Sequence, residues 1–595
     1  MSEDRRLSFP IKVNFQVLWR LLNFAKPFWK VFALAVIMMV LGSAVAASLP
    51  IIIQQYIDQY LVTASVTWTI TLRYVLFYLV LVVSRGLLTY YSNYLFMNSY
   101  EMSVANLRRQ VYGKVTRLAM RYFDQTPNGS IVSRITNDTE TIKEFWAVFL
   151  EFADGLFNAV AIAIAMFTLD AQFAMIFVAT IPIIILLMYV YQKYSTVIYG
   201  RMREALSMVN TELSESISGM DTIQHFNQEE RKKEEFDEVN QKYVDARIRM
   251  FKMNAVLLMP AISFIESMVL VVLLSVFGYQ FFNNFAVNVG VIYAFTSYTR
   301  AFYRPIGNMI NSLSIYQDGI VSGYRVIRLL DRTDLAPTAG DQAQGEITDG
   351  HIKLSHVTFS YDGERDVLKD INIEAKPGQT IALVGQTGSG KSSIINLLMR
   401  FYEFNQGEIT IDGQSIRDIK DEELREKIGL VLQDSFLFYG NIKDNIAMFG
   451  DFSDHEIRQA AEFVNADKII NQLDGNYQAR VIEGGAAFST GEKQLLSFAR
   501  TILRQPKILI LDEATANIDT ETEEIIQHGL QQIRQGRTTI MIAHRLSTIK
   551  DADQIYVLRH GEIIEQGKHE DLIRQQGTYY KMYQLQTSDQ QIYIH

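Results

Sequence analysis

Long apolar runs fill the first part of the chain, and short apolar runs alternating with polar residues fill the second. A helix needs about 20 largely apolar residues to cross the hydrocarbon core of a bilayer. Six stretches have that character: Val31–Ile53, Ile70–Tyr91, Val148–Leu169, Phe173–Tyr191, Ala255–Phe277 and Val287–Ile310. Arg85 interrupts the second, and Arg300 and Arg304 sit in the lower part of the sixth. Ahead of them, Leu18 to Lys30 mixes Trp19, Leu21, Leu22, Phe24, Phe28 and Trp29 with Arg20, Lys26 and Lys30, which suits a helix lying in the membrane interface. The connections near Gln54–Thr69, Asp170–Gln172 and Gly278–Ala286 contain no Lys or Arg, whereas those after the second and fourth spans are rich in both. The positive-inside bias therefore puts the two long connections and both termini in the cytoplasm. Both connections read as helical, so spans two to five are expected to run well past the bilayer and turn near Asn128–Asp138 and His225–Glu229.

Beyond Leu330 the pattern changes. Asp331 to Gly350 is polar and contains Pro337, Gly340, Gly345 and Gly350, as a linker would. His351–Leu354 and Val357–Tyr361 then alternate as strands do. The expected division is a membrane domain over 1–330, a linker over 331–350 and a soluble α/β domain over 351–595.

The soluble part is organised around Gly385–Ser392, GQTGSGKS, set between the apolar run Thr380–Val384 and a helically spaced segment from Ser393 to Met399. Strand, glycine-rich loop and helix in that order form a phosphate cradle, in which backbone N–H groups and the positive helix end face the anion. The cradle comprises Gly385, Gln386, Thr387, Gly388, Ser389, Gly390, Lys391, Ser392 and Ser393, with Lys391 reaching the β- and γ-phosphates and Ser392 ligating Mg2+. Ile508–Leu511 is an apolar strand that ends in Asp512 and Glu513. Downstream of a phosphate loop, such a pair has Asp512 holding the Mg2+ shell and Glu513 polarising the attacking water. The expected cofactors are ATP and Mg2+.

Composition narrows the partners. Across 595 residues the formal net charge is −9, which is the wrong sign for a nucleic-acid binder, and the absence of cysteine removes disulfides and thiolate chemistry. Ionisable groups inside apolar spans are costly unless paired or wetted. Glu151, Asp154 and Glu266 are accordingly candidate cavity groups, and Met259, Phe264, Met268, Tyr293, Phe295, Tyr298, Phe302 and Tyr303 are candidates for an adaptable apolar pocket. Helix packing and lipid contact are the ordinary alternatives for all of them.

Taken together, these motifs resemble an ABC transporter ATPase, and the six spans ahead of it resemble a half-transporter of the exporter type. The resemblance implies that Tyr361 stacks on adenine, that Gln433 contacts Mg2+ and senses the membrane domain, that His544 holds the γ-phosphate and that Asp519 lies in a loop crossing a dimer interface. It also implies that two ATP molecules are held between the phosphate loop of one ATPase domain and the signature motif of a second. Segments around Arg134 and Asn137–Asp138, and around Phe226–Asn227, resemble the elements that couple the two domains.

The signature departs from the family pattern LSGGQ. Here Phe488-Ser489-Thr490-Gly491-Glu492 keeps Ser489 and Gly491, adds a side chain at Thr490 and puts an anion, Glu492, where a neutral glutamine is usual; upstream, Ile482 replaces a glycine. A tolerated variant is one reading. The sharper one is a heterodimer with unequal sites, in which Lys391, Asp512 and Glu513 form a hydrolytic site and Ser489–Glu492 completes a degenerate one. The function expected on that reading is export of amphipathic drugs or lipid-like compounds across the cytoplasmic membrane. A homodimeric lipid or peptide exporter and an ATP-gated channel or sensor are the alternatives.

Overall fold

The computed structural model describes residues 11–283, 288–311, 313–339, 343–432, 435–482, 484–512, 520–542 and 549–592. The chain divides into two units, Met1–Thr116 with Pro127–Arg332 and Arg117–Thr126 with Thr333–His595.

The first unit is helical. In chain order its helices are α1 (Ile11–Phe24), α2 (Trp29–Tyr56), α3 (Trp68–Val115) and, after α4 (Met120–Gln125), which falls in the second unit, α5 (Asn128–Ile135), α6 (Asn137–Leu169), α7 (Ala171–Ser218), α8 (Met220–His225), α9 (Glu229–Leu257), α10 (Met259–Phe282), α11 (Val289–Asn311) and α12 (Leu313–Leu330). Five helical stretches among the described residues are long and apolar enough to cross a membrane: Lys26–Leu61, Trp68–Val115, Asn128–Leu169, Ala171–Ser218 and Glu229–Gln280. The arginines of α11 make it less apolar, and with 23 residues it is a plausible sixth. Helices α3 and α7 contain 48 residues each, roughly 72 Å at 1.5 Å per residue, more than twice the thickness of a hydrocarbon core. Leu258, at φ −104° and ψ −118°, breaks the helix between α9 and α10, just ahead of Pro260.

The apolar stripes of α7, α10 and α11 close on one another. Phe173 stacks on Phe277 at 3.9 Å between centroids, and Phe177, Phe295, Tyr298 and Tyr303 are buried with them. Of the two readings open for Phe295, Tyr298, Phe302 and Tyr303, a pocket or helix packing, the structure shows packing in the helix core. Phe264, Met268 and Tyr293 are exposed. Glu266 is half-buried, while Glu151 and Asp154 are exposed. At the other end of the bundle, Asp138 is buried in the first turn of α6, and both its oxygens accept from the Arg325 guanidinium of α12, through Nε at 3.0 Å and through one terminal nitrogen. Of the segments read as coupling elements, Asp138 is thus internal to the bundle and Phe226 is exposed.

The second unit is built from β1 (Ile352–Phe359), β2 (Leu368–Ala375), β3 (Thr380–Gly385), β4 (Gln406–Ile411), β5 (Gln414–Ser415), β6 (Ile428–Val431), β7 (Gly440–Asn441), β8 (Arg480–Val481), β9 (Ile508–Asp512), β10 (Thr538–Ile542), β11 (Gln554–Arg559) and β12 (Glu562–Gly567). An antiparallel sheet has the order β2-β1-β4-β5, and a six-stranded sheet the order β12-β11-β3-β10-β9-β6. In the larger sheet every pairing is parallel except β11 with β12. Strands β3, β9 and β10 are buried almost throughout, which is why they read as continuous apolar runs. The segment Arg117–Thr126 joins this unit through backbone bonds from Ala119 N to Asp334 O (3.1 Å) and from Ala336 N to Arg117 O (2.9 Å).

Candidate functional site

The carboxyl ends of the parallel strands define one edge of the six-stranded sheet, the place where open α/β sheets hold ligands. Strand β3 runs directly into the loop Gly385–Gly390 and then into the helix Lys391–Leu398. Gly390 has φ +105°, and a Cβ there would lie 2.6 Å from Leu368 Cδ2. Only glycine combines that dihedral with that proximity. The backbone consequently wraps the start of the helix, with Gln386, Thr387 and Gly388 exposed at the tip and Ser389 buried behind it. Lys391 is buried, and its Nζ donates to the carbonyls of Gly385 (2.7 Å) and Gln386 (3.1 Å), so the ammonium lies inside the curl of the loop. Ser392 is exposed at the first turn of the helix.

These residues fit a nucleoside triphosphate with Mg2+. The loop offers N–H groups and a cation within one turn of backbone, and Mg2+ needs only one or two protein ligands when phosphates supply others. Ile542 pairs with both Leu383 and Asp512, so Asp512 lies two strands from the phosphate loop, close to its level on the sheet edge. Strands β6, β9 and β10 end at Val431, Asp512 and Ile542 on that edge. Gln433, Glu513, Asp519 and His544 themselves lie outside the described residues.

Tyr361 is tied to the phosphate-loop helix. Its hydroxyl hydrogen-bonds Ser393 Oγ at 3.0 Å and accepts from Asn396 Nδ2 at 3.1 Å, and its ring meets Phe359 and Tyr402 edge-on at 4.7 and 4.9 Å. The turn that follows is held by Asp362, whose Oδ1 accepts from Glu364 N (2.9 Å), Arg365 N (3.1 Å) and Ser360 Oγ (2.9 Å). The Arg365 and Glu364 backbone donors, with the Ser360 hydroxyl, bring this carboxyl down to about 2.

The signature segment opens the helix Thr490–Leu503 with a capping box: Glu492 N donates to Ser489 Oγ at 3.2 Å, and Ser489 N donates to Glu492 Oε2 at 2.7 Å. Glu492 thus turns back on its own helix start and places its charge against the positive end of the helix dipole. Thr490 is exposed and Gly491 buried. Further along this helix, Arg500 donates to Asn445 O (2.9 Å) and to Phe436 O (3.2 Å), which anchors the signature helix to the segment that follows Gln433. Burial pulls the Arg500 guanidinium below its usual value.

Three residues of this region escaped the sequence reading. Tyr402 is buried, packs on Tyr361 and donates its hydroxyl to Asp124, which comes from the connection after α3. Burial, followed by the Asp124 carboxylate, pushes the Tyr402 phenol up, so it stays a donor at physiological pH. A signal existed for Asp124, the first acid after Glu101 in a stretch dense with arginine. The signal for Asp362 was a short acid directly before a glycine, a turn pattern.

Residues 32–306 match the family model described as ABC transporter transmembrane region, and residues 368–516 match the one described as ABC transporter. The chain is 44% identical over 571 residues to the "putative ABC transporter ATP-binding protein exp8" of Streptococcus pneumoniae, covering 96% of this chain and 97% of that one. It is 40% identical over 500 residues to the "probable multidrug resistance ABC transporter ATP-binding/permease protein YheH" of Bacillus subtilis, covering 84% and 74%. Among solved structures, a bacterial Atm1-family ABC exporter with ATP bound superposes with a TM-score of 0.79 at 27% identity, covering 94% of this chain and 99% of that one.

Proposed function

The chain belongs to the ABC transporter family, as an exporter in which a helical membrane region is fused to an ATPase coupled to transport, and from that premise we propose that it is one half of a heterodimer with unequal ATP sites that expels amphipathic compounds across the cytoplasmic membrane. Its ATPase region and both termini lie in the cytoplasm on this reading. The substrate class is carried over from the multidrug description of the Bacillus subtilis relative.

The observation that carries the asymmetry is the capping box. In a signature helix, the first N–H groups and the serine hydroxyl are what a γ-phosphate from the other half would meet. Here Ser489 N is already bonded to the Glu492 carboxylate, and Ser489 Oγ accepts from Glu492 N. A carboxylate at that helix start opposes an incoming phosphate by like charge, which a glutamine would not. On its own phosphate-loop side the chain has Lys391, Ser392, Asp512 and, in sequence, Glu513. The site assigned to hydrolysis therefore combines these residues with the partner's signature.

Bound Mg2+ neutralises phosphate charge and polarises the transferred phosphoryl group. In this reading Ser392, Asp512 and Gln433 hold that ion, Lys391 grips the β- and γ-oxygens, Glu513 takes the proton of the attacking water, His544 fixes the γ-phosphate and Tyr361 stacks on the base. Asp519 lies at the dimer boundary. ATP drives transport because it binds the closed pair of ATPase domains more tightly than the open one.

The test is Glu513→Gln in the assembled transporter. Loss of at least nine-tenths of steady-state ATPase activity, with nucleotide still bound at both sites, is the expected result; retention of most activity overturns the asymmetric reading. A homodimer is the second reading, favoured by the retention of Ser489 and Gly491. It predicts a self-paired complex that hydrolyses ATP at both sites, which the mass of the solubilised complex decides.

A further inference from the structure

Between α2 and α3 lies a cavity of about 380 Å3 whose walls are almost wholly apolar, lined among others by Ile53, Tyr56, Thr71, Tyr74, Val75 and Leu79. We propose that it binds the apolar tail of an amphipath, a single acyl chain or its equivalent, entering sideways from the bilayer. This rests on the membrane-spanning character of the first unit and not on the heterodimer reading.

The volume is within the range of about 300–1,000 Å3 found for ligand pockets. At ~30 Å3 per water-sized group it has room for about a dozen methylenes. Water is a poor occupant, because a buried water needs two to four polar partners and these walls are nearly devoid of them. At the outer end Tyr56 OH lies 3.0 Å from Thr71 Oγ1, and the Thr71 hydroxyl donates to Thr67 O at 3.2 Å. Around them the rings of Tyr56, Tyr60 and Tyr74 form a cluster with centroids 5.2 to 6.4 Å apart, a rigid apolar lip with polar tips.

Access and rigidity are both built in. None of the most apolar window of α3 is buried within this chain, and Val75 and Leu79 are exposed, so the cavity is open along α3. Just past Tyr56 the helix widens into a π turn over Ile57–Leu61, a feature that recurs at functional sites. Asp58 in that turn accepts from Gly290 N at 2.7 Å and from Gln54 Nε2 at 2.7 Å. A Cβ on Gly290 would lie 2.4 Å from Gln54 O, so the close seating of α11 on this end of α2 requires the glycine.

The experiment is photolabelling of the full-length, assembled transporter in lipid nanodiscs with a diazirine analogue of palmitate, followed by digestion and mass spectrometry. Adducts concentrated within residues 52–82 are expected, reduced at least five-fold by Val75→Trp, with basal ATPase activity and complex size unchanged. Should that variant fail to assemble, competition of the wild-type label by unlabelled palmitate at low micromolar concentration serves as the readout. Displacement by rhodamine 6G identifies the occupant as a transported amphipath, and displacement by lipid alone as a bilayer component; both sustain the site. Labelling spread in proportion to membrane-facing surface, or absent from 52–82 because the other half covers it, overturns the proposal.

Discussion

At Asp362 a single exposed carboxylate sets the backbone path that delivers Tyr361, through two N–H donors and one hydroxyl. Because its folded-state value is lowered to about 2 from an ordinary value of about 4, the turn is fully supported above about pH 4. That support is lost as pH falls through about 2. Titration of Asp362 therefore contributes nothing to nucleotide affinity between pH 5 and 9, whereas Asp362→Ala is expected to raise the Kd for ATP roughly three- to ten-fold by freeing the turn. Equilibrium binding with a fluorescent ATP analogue across pH checks both statements, and Asp362→Asn is expected to retain most of the affinity. Gly390 makes the contrasting case: Gly390→Ala sets a methyl carbon 2.6 Å from Leu368 at φ +105°, and ATP binding is expected to fall by roughly 100-fold or more, since both the close contact and the dihedral oppose it.

Elements were legible where their signals are local. The phosphate loop is a contiguous motif whose neighbours in sequence are its neighbours in space, and the long apolar stretches declare themselves by length. Glu492 declares itself as an anion in place of the family's neutral glutamine, and the Ser489-x-x-Glu492 spacing ahead of an apolar helix is also a capping-box pattern, which the carboxylate follows. The aromatic run of α11 was ambiguous because Phe295, Tyr298 and Tyr303 would suit a pocket or a core equally, and only the packing of Phe173 and Phe177 against them decides. Tyr402 with Asp124 could not be read at all, since 278 positions separate the partners. That pair carries its own prediction. Tyr402→Phe strips the donor from the carboxylate while keeping the ring against Tyr361, with an expected cost of about 1–3 kcal/mol in the stability of the ATPase unit. ATP binding should stay within two-fold of wild type, while stimulation of ATPase activity by transported compounds should fall. Equal loss of basal and stimulated activity would show that the hydroxyl matters to the fold alone.

For the whole molecule, the division into units is not a cut at one point. The ATPase unit is completed by ten residues drawn from the connection that follows α3, through the bridge of Leu118 with Leu335, the backbone bonds at Ala119 and Ala336, and the Tyr402–Asp124 bond. A domain expressed as 333–595 lacks this segment and leaves the Tyr402 hydroxyl without its acceptor. It is expected to melt several degrees below the same domain carrying residues 117–126 on a flexible amino-terminal linker, because one or two kcal/mol shifts the midpoint of a domain of this size by about 2–8 °C. Asp124→Ala in the linked form should remove part of that gain, and differential scanning fluorimetry would read all three. If the appended segment brings no gain, Arg117–Thr126 contributes nothing to the stability of the ATPase unit outside the full chain. If it does bring the gain, the same contacts that stabilise the unit also tie the residue beside Tyr361 to the segment that follows α3. Nucleotide occupancy would then be linked to the stability of that segment and, reciprocally, the position of α3 to nucleotide affinity.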